Sequence, residues 1–322
     1  MPIANAAQIE TPPTIEESRY FDRLAEVDDT HWWSRGMWRI ASGLLDRSTP
    51  PNRSRLRALD IGCGAGTTAA RLGERREIGS VVALDSRSEA IDLAHRRSSA
   101  NVFLGSAVEL PFRSALFDIV TCFDVYQHLP IGLDRRAAAE SFRVLKPGGR
   151  LLVRTNARRI FGGVDSSSGP YYRLEDLVST IQEAGFNIDQ STYVNFLPAI
   201  FAEARACLRA SRRACRERGL TIRVPSPAIN RLMKRWIAVE AAAVVRLKLG
   251  LPFGHSAYVL AEKPAEVREN RTVEDDLSKR SNFGSRSSDP ATNQSNETNR
   301  STNLTKYMDT KAQQYPYIWT RK

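Results

Sequence analysis

The sequence predicts an α/β protein built on a parallel sheet with helices on both faces. Three observations carry this. From Arg57 to Asn156, short apolar runs alternate with helical stretches or loops, the pattern of a sheet that is covered on both sides. The first of those runs leads into a glycine loop, "LDIGCGAGT", with Gly62, Gly64 and Gly66 at alternate positions. After Lys263 the chain turns polar and low in complexity, so the packed part is expected to end there.

Taken in order, residues 1–52 form a helical cap. The stretch "TIEESRYFDRLAEVDDTHWWSRGMWRIASGLLDRS" carries apolar residues at helical spacings and stops at Pro50-Pro51. Five strand candidates follow: "RALDIG", "SVVALD", "NVFLGS", "FDIVTCFDV" and "GRLLVRTN". The helix "YRLEDLVSTIQEAGF" is stopped by Gly185, and "NIDQSTYVNF" and "SAYVLAEK" supply two more strands. Between those two lies a helical, arginine-rich insert, residues 197–254, with Pro225 and Pro227 in its middle. A connection that long usually has its own job, often covering a site. Residues 264–322 are expected to be disordered.

Composition sets outer bounds. The 322 residues suffice for one large domain or two modest ones. A formal net charge of +11 favours anionic partners: nucleic acid, an acidic membrane surface or a phosphorylated substrate. An arginine-rich proteome would give the same surplus. Cys63, Cys122, Cys207 and Cys215 form no C-x-x-C pair, which suggests reduced thiols in a cytoplasmic protein. The N-terminus lacks the basic-then-apolar pattern of a secretory signal, and no run approaches 18 uncharged apolar residues. No His/Cys/Asp cluster has metal-ligand spacing, so a metal-independent reaction is expected.

The glycine loop then asks for a ligand. Glycines let backbone approach a bound group closely, and in an open parallel sheet ligands collect at the carboxyl ends of the strands. The spacing is G-x-G-x-G, and Thr67 stands where a dinucleotide fingerprint wants its third glycine. Asp60, two residues before Gly62, would repel a pyrophosphate but suits a cationic neighbour. Asp85 ends the second strand, where a carboxylate can accept hydrogen bonds from ribose hydroxyls. A nucleoside with a cationic neighbour describes S-adenosylmethionine.

With those residues in place, the segment Arg57–Asn156 resembles a class I S-adenosylmethionine-dependent methyltransferase. "LDIGCGAGT", "VVALDSRSEAIDLA", "GSAVELPFRSALFDIVTCFDVYQHL" and "RVLKPGGRLLV" match that family's motifs in order. The resemblance implies a Rossmann-like sheet of seven strands, mostly parallel, with the last antiparallel. It implies that Gly62, Cys63, Gly64 and Gly66 approach the methionine part of the cofactor, with Asp60 ordering the loop. Asp85 would hold the ribose and Ser86 would lie by the adenine. Ser106 and Ala107 would read the adenine edge, although Ser106 stands where the family commonly has an acid. Phe123 and Asp124 would line the far side.

The flanks extend the resemblance to about residues 15–263. "THWWSRGMWRI" resembles an HWW signature of a bacterial small-molecule ("type 11"-like) group, departing from it at Ser34 and Met37-Trp38. The implied role is a lid, with Trp32, Trp33 and Tyr126 on the substrate side and Arg35 or Arg39 near the cofactor carboxylate. The tryptophans read equally as packing of the cap onto the sheet. His128 and His31 are candidate bases, since an imidazole titrates near neutral pH. The alternative is that His128 only shapes its loop. The seven arginines from Arg205 to Arg223 admit a solvated face, a membrane-surface helix or a phosphate pocket. No nucleic-acid recognition motif is present. The reading is a cytoplasmic methyltransferase, with peripheral contact at the inner membrane face left open, acting on oxygen of a small, sugar-like or lipid-linked acceptor. A non-catalytic cofactor-binding scaffold, or an NAD-dependent oxidoreductase, remains as an alternative.

Overall fold

The computed structural model describes residues 19–48, 55–130, 132–157, 172–210 and 225–265. All seven expected strands are present: β1 (Leu56–Ile61), β2 (Ile78–Asp85), β3 (Asn101–Leu104), β4 (Phe117–Phe123), β5 (Leu145–Asn156), β6 (Asn187–Val194) and β7 (Ser256–Glu262). They form one sheet in the order β3-β2-β1-β4-β5-β7-β6. β1 to β5 pair in parallel, and β7 runs antiparallel to both of its neighbours. This is the mostly parallel seven-stranded arrangement that the resemblance implied.

The period of two along each strand divides the core in two. Ala58, Ile119, Leu152, Tyr258 and Leu260 point to one face, where α2 (Trp32–Ser48), α3 (Thr67–Gly73) and α8 (Pro227–Arg246) cover them. Leu59, Val120, Leu151, Val153 and Val259 point to the other, beneath α5 (Leu133–Val144) and α6 (Leu174–Glu183). Both faces of the central strands are therefore dry, which is why their sequences read as unbroken apolar runs. Strand order reverses between β1 and β4, so a crevice opens at their carboxyl ends.

The described part of the cap consists of two helices. α1 (Arg19–Asp28) ends in a turn at Asp29-Thr30, where the Thr30 and His31 N–H groups both donate to the Val27 carbonyl. Asp and Thr compete with helix by bonding local backbone, and here the Thr30 hydroxyl also turns back to Val27. α2 buries Met37, Ile40, Ala41, Leu44 and Leu45. It packs so closely on α8 that a Cβ at Gly36 would lie 2.4 Å from Ile237 Cγ1.

The insert supplies α7 (Phe196–Ala210) and α8. Glu240 of α8 is buried and accepts the N–H groups of Asn195 (2.5 Å) and Phe196 (3.2 Å), which fixes the start of α7. Asn230 ties α8 to the cap: its Oδ1 accepts the Trp32 N–H at 2.9 Å and its Nδ2 donates to the Thr30 carbonyl at 3.0 Å. The arginine-rich run to Arg223 and the polar segment after Ala265 lie outside the residues whose side chains are described. Their expected surface role and disorder are therefore not part of this structure.

Candidate active site

The glycine loop sits at the crevice between β1 and β4. Gly62, Gly64 and Gly66 have φ of 71°, 51° and 79°. At Gly62 space adds to the conformational demand, because a Cβ there would lie 2.1 Å from Val125 Cγ2. The loop is tied to β2 from both sides. The Gly62 and Cys63 N–H groups donate to the Leu84 carbonyl at 2.7 and 3.0 Å. Asp85 Oδ2 accepts the Gly64 N–H at 2.9 Å, while Oδ1 accepts the Arg87 N–H at 3.1 Å. A carboxylate has about four lone-pair sites, and with the Ser86 N–H also favouring its charged form Asp85 keeps room for a further donor.

Asp60 is 1% exposed. Its Oδ1 accepts the Thr121 hydroxyl at 2.8 Å, an approach set by the register that puts Asp60 opposite Thr121. Its Oδ2 is buried and has no hydrogen-bond partner. Burial pushes its pKa up to about 7, and the charge of Asp85 adds to this. Burial likewise raises Asp85, against the Gly64 N–H that favours its ionised form.

At the end of β4, Asp124 adopts a φ of 58° and pairs with Arg154 of β5. Arg154 lies 4.8 Å over the Trp33 ring and 4.9 Å over the Phe123 ring. Its Nη1 reaches the Tyr258 hydroxyl at 3.5 Å, and that hydroxyl donates to the Met37 carbonyl at 2.9 Å. Burial works against the charge of Arg154, but Asp124 beside it more than offsets this and holds the guanidinium protonated. α1 closes the other side. Phe21 packs with Ala65, Ala90 and Leu93 beside the loop. The Tyr20 hydroxyl is pushed up to about 12 by burial and by the charges of Asp124 and Asp28. The Thr67 hydroxyl donates to Asp28 at 2.6 Å, which joins α1 to the start of α3.

The structure thus brings Asp60, Gly62, Gly64, Gly66, Asp85, Phe123 and Asp124 together around one crevice, with Trp33 reaching it through Arg154. Cys63 is buried in the core, and burial raises its thiol pKa, so it offers the site only backbone. Ser86 is exposed just past Asp85, and Ala107 is buried. The Ser106 hydroxyl accepts the Val108 N–H at 3.4 Å. Trp32 bonds the insert at Asn230, while Arg35 and Arg39 are exposed on α2, Arg35 donating to the Asp29 carbonyl. His31 Nδ1 accepts the Trp33 N–H at 3.2 Å, so that ring is part of the start of α2.

Tyr126 needs correction. It begins a short 3₁₀ turn, Tyr126–His128, in which Tyr126 and Gln127 are buried. Its ring is fully buried in the core cluster under α5 and α6, 6.3 Å from that of Tyr172, so it offers no surface to a substrate. His128, two residues on, is exposed at the rim. The surrounding protein holds its pKa below the ordinary 6.5, with Asp124 and Asp85 pulling the other way. Arg154, Thr121, Tyr20 and Phe21 were missed. The one available signal was a cation inside the buried run "LLVR", which is costly unless paired. Among the described residues no group of three or more His, Cys, Asp or Glu is placed to hold a metal ion.

These groups fit S-adenosylmethionine. The Asp60 and Asp85 carboxylates set a negative field at the glycine loop, and the ligand brings an ammonium, a sulfonium and two ribose hydroxyls.

The comparisons agree. Residues 59–153 match the family model described as "Methyltransferase domain". The chain is 32% identical over 165 residues to the 27-O-demethylrifamycin SV methyltransferase of Amycolatopsis mediterranei, covering 44% of this chain and 59% of that one. It is 30% identical over 167 residues to the mitochondrial ubiquinone biosynthesis O-methyltransferase of Schizosaccharomyces pombe, covering 46% and 57%. The curated relatives also include a C-methyltransferase. The chain spans about half the length of the curated relatives it matches. In fold it is similar to a Haemonchus contortus phosphoethanolamine N-methyltransferase solved with S-adenosylhomocysteine, with TM-score 0.50, 18% identity and coverage of 78% and 58%. With the motif order, the sheet and the crevice in agreement, the segment from Leu59 to Val153 is a methyltransferase domain of the class I S-adenosylmethionine-dependent family.

Proposed function

We propose that this chain transfers a methyl group from S-adenosylmethionine to an oxygen of a small, sugar-like or lipid-linked acceptor. The observation that carries cofactor use is the pair of buried strand-end carboxylates, Asp60 and Asp85, on either side of the glycine loop. The cofactor supplies a methyl already activated by its sulfonium, so the protein's work is alignment and exclusion of water. Asp85 would hold the ribose while keeping Gly64 in place. Asp60, buried at the end of β1, would favour the cationic end through its charge. Arg154, clamped between Trp33 and Phe123, fixes the wall that Asp124 forms at the end of β4.

Oxygen as the acceptor atom rests on chemistry at the rim and on the two O-methyltransferase relatives. A hydroxyl nucleophile must lose a proton, and His128, exposed just past the end of β4, carries an imidazole that can accept one near neutral pH. Incubation of the chain with methyl-labelled cofactor and a fractionated extract of small molecules and lipids tests this. Label in a methyl ether or ester supports it. Label on nitrogen or carbon overturns the oxygen reading. Tight cofactor binding with no transfer favours a scaffold, and tight NAD binding by calorimetry overturns the whole assignment.

A further inference from the structure

We infer that the outer face of α8 docks on an anionic lipid surface. α8 turns Ile237, Glu240, Ala241 and Val244 inward. At 100° per residue, Arg231, Leu232, Arg235, Val239 and Arg246 fall on the opposite side, and all five are exposed. Leu232 is 65% and Val239 is 63% exposed. The turn that follows adds Leu247 at 68% and Lys248 beside it. Isolated exposed apolar residues are ordinary, but a row of them interleaved with cations is not. The one acid of the helix, Glu240, is buried on the Asn195 and Phe196 N–H groups, so it does not neutralise this face.

Charge complementarity selects an anionic partner. The leucine and valine between the arginines select one with an apolar layer just below its charge. A bilayer surface has both: the apolar side chains settle at the acyl boundary while the long cationic ones reach headgroup phosphates. A nucleic acid would use the arginines and leave Leu232 and Val239 idle. No described helix is long and apolar enough to cross a membrane, so contact through this face would be peripheral. The inference does not depend on the identity of the acceptor.

The test is co-sedimentation of the full chain with phosphatidylcholine vesicles, with and without phosphatidylglycerol, at physiological ionic strength. Partition onto the anionic vesicles should be at least about tenfold stronger. Arg231→Gln with Arg235→Gln should weaken it about tenfold, and Leu232→Ser with Val239→Ser should weaken it too. Calorimetry with S-adenosylmethionine, at sites remote from these changes, checks that each variant is folded. Equal partition onto both vesicles, no loss in either double variant, or binding to heparin or an acidic protein without binding to vesicles would each overturn the inference.

Discussion

Asp124 and Arg154 form a partly buried ion pair across the carboxyl ends of β4 and β5, and the cap closes onto it through the Trp33 ring. The pair places a residue with left-handed backbone at the wall of the cofactor crevice and holds it there. Arg154→Met leaves Asp124 without its counter-charge. Breaking a buried pair costs about 3–5 kcal/mol, and the lower end applies here because a quarter of the Asp124 side chain still meets water. Thermal unfolding should show the loss, and adding Asp124→Asn should recover part of it. An unchanged midpoint for Arg154→Met would refute the role given to the pair.

Asp60 gives the site a pH dependence with a defined sign. Its folded pKa of about 7 lies above the unfolded carboxylate value, so stability from this group is complete at low pH and is lost as pH rises from about 4 to 7. A cationic ligand favours the ionised form and releases a proton on binding. Cofactor affinity measured by calorimetry should therefore rise about tenfold between pH 6 and pH 8 and then level off. In Asp60→Asn the slope should vanish, and a slope that persists in that variant would assign it to another group.

Asp85→Ala should weaken cofactor binding about tenfold to a hundredfold, since a hydrogen bond to a charged group contributes about 1.5–3 kcal/mol. The same change frees the Gly64 N–H, so amide exchange in the loop should quicken even without cofactor. Affinity within about twofold of the parent would mean that the ribose lies elsewhere.

His128→Ala should lower kcat about a hundredfold or more while leaving the cofactor dissociation constant unchanged, as expected for a rim base. The rate in the parent should fall as the pH drops through the histidine's lowered pKa. Equal kcat in the two proteins would reduce His128 to a loop residue.

Gly36→Ala tests the seam between cap and insert. Helix propensity alone would favour alanine by about 1 kcal/mol. The 2.4 Å approach to Ile237 reverses that, and a net loss of about 1–3 kcal/mol in urea unfolding is expected. Ile237→Ala in the same chain should restore part of it.

The strands and the loop were legible because local chemistry specifies them. Dry central strands must be apolar on both faces, and "LDIGCGAGT" announces its turn through glycines that only that turn requires. Thr121, Arg154 and Glu240 were not legible, because each acts on a residue that only sheet register or helix docking brings near. Thr121 meets Asp60 across a β1–β4 pairing, and Glu240 meets Asn195 from a helix 45 positions along the chain. Tyr126 was misplaced for a related reason: within one short 3₁₀ turn Tyr126 is fully buried and His128 is exposed, and the sequence does not say which residue goes inward.

Asn230 has a mechanical consequence. It grips the cap at Thr30 and Trp32 from a helix whose outward side carries Arg231, Leu232 and Arg235. A pull on the outside of α8 is thus transmitted to the base of α2, one residue from the ring that rests on Arg154. Through these two bonds the first turn of α8 and the start of α2 are held in one fixed relation.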